Sequence, residues 1–121
     1  MKVYKILTVE EWQTAQQIGE VITKLDKQDG FIHLSTAKQL AGTLSFYFDG
    51  FDKLILLEIE STGLGDSLLL EESKPKGNRT SKFPHLYGRL ELNCITKIWE
   101  IQRNGFLIPK EILLNLENTK N

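Results

Sequence analysis

The spacing of apolar and polar positions changes period several times along the chain, and each change predicts an element. Residues 3–7 (VYKIL) read as an opening strand. Thr8 with Glu11 three positions later has the form of a capping box, which predicts a helix carrying Trp12, Ala15 and Ile18 and stopped by Gly19. Residues 30–35 suit a short strand, after which Ser35 or Thr36 is placed to cap a second helix that turns Leu40, Leu44 and Phe48 inward and closes at Asp49 and Gly50. Residues 53–60 (KLILLEIE) are dense in Leu and Ile, as a central strand buried on both faces requires. A further strand is expected over residues 67–72, followed by a loop over residues 73–82 (SKPKGNRTSK), where Pro, Gly and Asn occur with almost nothing apolar. Residues 88–94 (GRLELNC) alternate, with Leu90, Leu92 and Cys94 on one face and Arg89, Glu91 and Asn93 on the other, which predicts a half-exposed strand. Residues 95–102 continue as a strand through Ile98, Trp99 and Ile101, and Pro109 suits the first turn of a last helix. Strands bunched in the second half, with helices mainly toward the two ends, argue for an α+β domain rather than a doubly wound one.

The chain has 121 residues, enough for one domain with its own core, taken as residues 1–117 with a frayed tail over 118–121. With 15 Lys and Arg against 16 Asp and Glu, the net charge of -1 supplies no global field for nucleic acid or an anionic membrane. Any anion binding must come from a local cluster. Cys94 is the single cysteine, which excludes an internal disulfide framework and a thiol-rich metal motif. The opening MKVYKILTVEEW lacks the apolar run of a secretory signal, and no apolar stretch approaches the roughly 20 residues of a membrane span. These features point to a cytoplasmic protein, as a monomer or weak dimer.

Candidate chemistry gathers around the two histidines. In a strand over residues 31–35, Phe31, His33 and Ser35 share one face while Ile32 and Leu34 share the other, so an imidazole stands beside a hydroxyl. Such a histidine serves as hydrogen-bond donor, acceptor or acid and base near neutral pH, or else as a semi-buried residue satisfied by Asp29 and Ser35. His85 lies in FPHLYG, residues 83–88, where Pro84 fixes one φ angle and Gly88 permits an unusual one. Tyr87 shares its face if the segment is extended, and offers a ring for stacking and a hydroxyl, or simply ties a loop to the sheet. Just upstream, Lys74, Lys76, Arg79 and Lys82 surround Gly77 and Asn78, a basic loop able to close over a phosphate or to remain solvated. The histidines lack the ligand spacing of a zinc site, so no metal is expected, and no glycine-rich phosphate loop or nucleophile elbow is present. Glu58 and Glu60 share one face of the central strand, where solvation is the simpler reading.

DGFIHLST, the LILLEIE strand, FPHLYG and the closing GFLIP together resemble the bacterial family known as domain of unknown function 952, from Tyr4-Lys5-Ile6 to Pro109. The resemblance implies an ADP-ribosyltransferase-like fold, with a split mixed or antiparallel β-sheet core, flanking helices and a cleft for NAD. By that resemblance His33, with Ser35 beside it, contacts the nicotinamide-side ribose, and His85 and Tyr87 lie on the opposing lip. The same resemblance makes His33, Ser35, His85 and Tyr87 the catalytic candidates and His33, Arg79, Tyr87 and Arg89 the cofactor-binding ones. Arg89 stands where family members carry a small residue or proline. The glutamate that orients ribose in many such transferases is left open among Glu58, Glu60, Glu71 and Glu91. The implied function is binding of NAD or a related nucleotide, with or without transfer of ADP-ribose to an unidentified acceptor. The alternative is a non-catalytic module for a nucleotide or phosphorylated metabolite.

Overall fold

The computed structural model describes residues 1–72, 82–102 and 112. In chain order its elements are β1 (Lys2–Thr8), α1 (Val9–Ile18), α2 (Lys24–Asp29), β2 (Ile32–His33), α3 (Leu40–Tyr47), β3 (Lys53–Glu60), β4 (Leu68–Glu72), β5 (Lys82–Leu86) and β6 (Ile95–Gln102). They form an α+β arrangement of two three-stranded antiparallel sheets, ordered β1-β3-β6 and β2-β5-β4.

β3 is central because it is apolar on both faces, and the period of two sorts its side chains into two cores. Leu54 and Leu56 pack with Tyr4, Ile6, Leu40, Leu44, Ile101 and Ile112. Ile55, Leu57 and Ile59 pack on the opposite side with Val3, Leu7, Ala15, Ile32, Leu34 and Leu86 among others. Burying each such side chain contributes roughly 1.5–3 kcal/mol, so this strand anchors both layers. The capping box at Thr8 forms as expected, and Gly19 ends α1 with φ 86°, a left-handed conformation that disfavours other residues.

Among the described residues, one backbone bridge ties β1 to the chain just beyond β2. After β2 leaves β5, Ser35 pairs with Tyr4 of β1, each N–H donating to the other's carbonyl at 2.8 Å. The cleft opens where the chain crosses over.

Several expectations are corrected. Residues 88–94 are not a strand: Glu91 makes an isolated bridge to Glu20, and Leu92–Cys94 is a turn of 3-10 helix. Their alternation arises because Leu90 plugs the core, its carbonyl accepting from Val21 N–H, while Leu92 and Cys94 pack only at its margin. Lys82 does not end a loop but opens β5, opposite Glu72. The helix after Thr36 begins as a 3-10 turn, Ala37–Gln39, and ends at Tyr47, before Asp49 and Gly50. α2 was not anticipated, although Thr23 and Asp26 form a second capping box. Lys74, Lys76, Arg79, the helix expected from Pro109 and the tail at 118–121 lie outside the described residues, of which only Ile112 is placed in that region. No helix among the described residues is long and apolar enough to cross a membrane.

Candidate functional site

Pro84 explains the shortness of β2. Leu34 N–H donates to Pro84 O at 3.1 Å, but proline has no N–H to return, so the ladder stops there. The alternation of antiparallel pairing then makes His33 and His85, which are register partners, a non-hydrogen-bonded pair, the kind whose side chains approach most closely. Their ring centroids are 5.7 Å apart. Phe31 stacks on His85 at 4.0 Å and lies 4.5 Å from His33 and 5.4 Å from Tyr87, so four rings share one face.

Each imidazole is held by a carboxylate. His33 Nε2 is 2.8 Å from Asp29 Oδ2, and His85 Nδ1 is 2.9 Å from Glu71 Oε1. An ionised carboxylate only accepts, so both rings donate through these nitrogens; in a neutral ring the remaining lone pair is on Nδ1 for His33 and on Nε2 for His85. Glu71 reaches His85 because β4 pairs with β5: Leu69 lies opposite His85 and Glu71 is two residues on, at the diagonal position of the same face. Tyr87 OH donates to the same Glu71 oxygen at 2.7 Å. Oε1 therefore has two donors, whereas Oε2 has no partner among the described residues. The hydrogen bonds from Tyr87 and then His85 lower the Glu71 pKa, and Glu71 in turn raises that of Tyr87.

These residues line a cleft of about 960 Å³, at the upper end of ligand-site volumes. Leu25, Tyr47 and Phe51, all substantially exposed, line the same cleft. Ser35 also lines it but is buried, its hydroxyl 3.1 Å from Thr43 Oγ1. Beneath His33 lies a buried ion pair, Lys5 and Asp26 at 2.9 Å, with the two side chains only 5% and 0% exposed. Burial pulls the Lys5 ammonium below the usual lysine range against the attraction of Asp26.

The structure thus brings together His33, His85, Tyr87 and, below them, Ser35. It does not bring Arg89: that guanidinium pairs with Glu20 and lines a separate small pocket with Gly63 and Cys94. Arg79 lies outside the described residues. Of the four candidate glutamates only Glu71 lines the cleft. Glu58 is not solvated as expected but 1% exposed, held by Lys2, Tyr4 and Thr96. Burial would raise its pKa, but those donors lower it. Lys5 and Asp26 were missed altogether, although a lysine within VYKIL and the Thr-x-x-Asp signature at Thr23 were visible signals.

A pH dependence follows from His33, whose pKa is lowered from 6.5 first by burial and then by the Lys5 charge. The unfolded chain binds a proton more readily, so the stability His33 supplies is present above about pH 6.5 and lost as pH falls through the lowered folded value. Thermal unfolding is expected to occur at progressively lower temperature on acidification from pH 7, and His33→Gln should flatten that dependence. An unchanged slope in the variant would count against this assignment.

The fold and site define an α+β protein of two small antiparallel sheets with a histidine-paired, aromatic cleft. The chain belongs to the family described as "Protein of unknown function (DUF952)", whose model matches residues 6–98. It is similar to the crystal structure of CC0527 from Caulobacter crescentus, 36% identical with a TM-score of 0.74, covering 83% of this chain and 85% of that one. The solution NMR structure of CC0527 is 35% identical with a TM-score of 0.71, covering 84% of each chain. No match is found among curated proteins.

Proposed function

We propose that the cleft binds NAD or a related nucleotide, with a planar base against the Phe31 and Tyr87 rings, His85 backing Phe31 from beneath, and a ribose hydroxyl at Glu71 Oε2. The observation that carries this reading is the pairing of His33 and His85 across β2 and β5, each oriented by a carboxylate and facing one aromatic plate. Aromatic faces stack on any base, and a carboxylate oxygen not already engaged suits a sugar hydroxyl. If the bound dinucleotide reacts, the bond from ribose C1′ to the nicotinamide nitrogen breaks and its electron pair leaves on nicotinamide. Water or an acceptor hydroxyl adds to C1′ and gives up a proton, for which neutral His33 is a suitable base. Glu71 would stabilise the positive charge that develops on the ribose.

A non-catalytic binding module is the second reading, favoured by one observation. Phe31 covers His85, which is 3% exposed, and so shields it from proton exchange with a ligand.

The test is an NMR titration of both histidine side chains with NAD, ADP-ribose and nicotinamide, assigned with His33→Ala and His85→Ala. Saturable shifts at both rings are expected with NAD. No shift with any of the three in folded protein would overturn the nucleotide reading, and shifts without nicotinamide release would favour the binding module.

A further inference from the structure

Because His33 occupies a non-hydrogen-bonded position, its N–H and C=O point to the edge of β2 away from β5. Among the described residues no strand lies on that edge. The backbone groups are met instead by two side chains: Lys5 Nζ donates to His33 O at 2.9 Å, and His33 N–H donates to Asp26 Oδ1 at 3.0 Å. Each of those side chains is itself fixed. Lys5 belongs to β1, paired along its length with β3, and Asp26 Oδ2 accepts from Thr23 N–H at 2.9 Å in the capping box of α2. Asp29, in the last turn of the same helix, holds the imidazole of His33. One short helix thus grips the main chain and the ring of a single residue.

Energetics make this placement informative. A buried ion pair contributes little net stability over well-packed apolar residues, because both charges must be stripped of water. The surface pair Lys53 and Glu100, half exposed at 3.4 Å, carries no such cost. What Lys5 and Asp26 supply, and apolar residues of their size do not, is a donor and an acceptor for the two backbone groups of His33.

We infer that Lys5 and Asp26 are positioning residues that replace a missing strand beside β2 and hold the His33 ring against His85. The functional side of this inference rests on the nucleotide reading above; its geometric side does not.

The test compares wild type with Lys5→Met/Asp26→Asn, a variant that leaves no buried charge unpaired and keeps an acceptor for the Thr23 cap. Ring-to-ring nuclear Overhauser effects between His33 and His85 and the two histidine titration curves are recorded on the free protein, followed by NAD titration. The cross-ring effect is expected to fall by at least half, and NAD binding to weaken about tenfold, the scale of one lost hydrogen-bonded contact. A folded variant with unchanged cross-ring effect and titration curves would overturn the inference, even if its affinity fell. A weakened cross-ring effect in a protein whose wild type shows no response to NAD, ADP-ribose or nicotinamide would uphold the positioning role while removing the nucleotide reading. If the double variant does not fold, hydrogen exchange of the wild-type His33 amide takes its place: protection comparable to that of the β1–β3 ladder is expected, and exchange as fast as that of an unpaired amide would overturn the inference.

Discussion

Lys5→Met alone is expected to lower stability by about 3–5 kcal/mol, the cost of leaving one member of a buried ion pair uncompensated. A domain of this size has about 5–15 kcal/mol in total, so the variant should unfold at far lower denaturant concentration or fail to accumulate. Lys2→Met, three residues earlier on the same strand, is the informative contrast. Lys2 also contacts a buried carboxylate, Glu58, but its own side chain is 42% exposed, and Glu58 keeps the Tyr4 and Thr96 hydroxyls as donors. Its loss should cost less than about 1 kcal/mol, in the range of exposed pairs. Urea unfolding of both variants decides the matter: a loss for Lys5→Met no larger than that for Lys2→Met would show that the Thr23 and His33 N–H groups are enough to compensate Asp26 without the Lys5 charge.

The second large effect concerns chemistry. If the protein consumes NAD, Glu71→Gln should reduce nicotinamide release by roughly 10²-fold or more while changing affinity by less than about tenfold, because a carboxylate charge matters most where positive charge develops in the transition state. Glutamine preserves the shape and an acceptor for Tyr87 and His85, so a collapsed site would not account for the loss. Glu91→Gln, at the isolated bridge to Glu20, should leave turnover unchanged. Undiminished release by the Glu71 variant would remove that residue from the reaction.

What could be read from the sequence was what depends on near neighbours. KLILLEIE declared a strand buried on both faces, and the phase of FIHLS separated Phe31 and His33 from Ile32 and Leu34, which the structure buries. The Thr8 and Glu11 capping box likewise acts within one turn. The partners of the histidines were less legible because pairing between distant segments selects them. Glu71 stood among four equivalent glutamates until the register of β4 against β5 placed it beside His85. Lys5 acts on a carbonyl 28 residues away, and no local pattern records that. α2 escaped notice because KLDKQD is nearly all polar and lacks an apolar stripe, even though its cap was present. The alternation of residues 88–94 misled for the converse reason: period two describes any segment that buries one side chain and then its second neighbour.

The hand-over of the chain from β5 to β1 has a mechanical side. Within residues 33–35 it leaves one sheet and joins the other, and the reciprocal bonds between Ser35 and Tyr4 resist sliding, since any translation breaks both at once. Swinging the sheets apart about that point is opposed as well, because Ile32, Leu34 and Leu86 share a buried core with Val3, Leu7, Ile55, Leu57 and Ile59. The crossing at residues 33–35 therefore acts as a stiff spine at the back of the cleft, and a ligand is met by a wall whose position is set before it arrives.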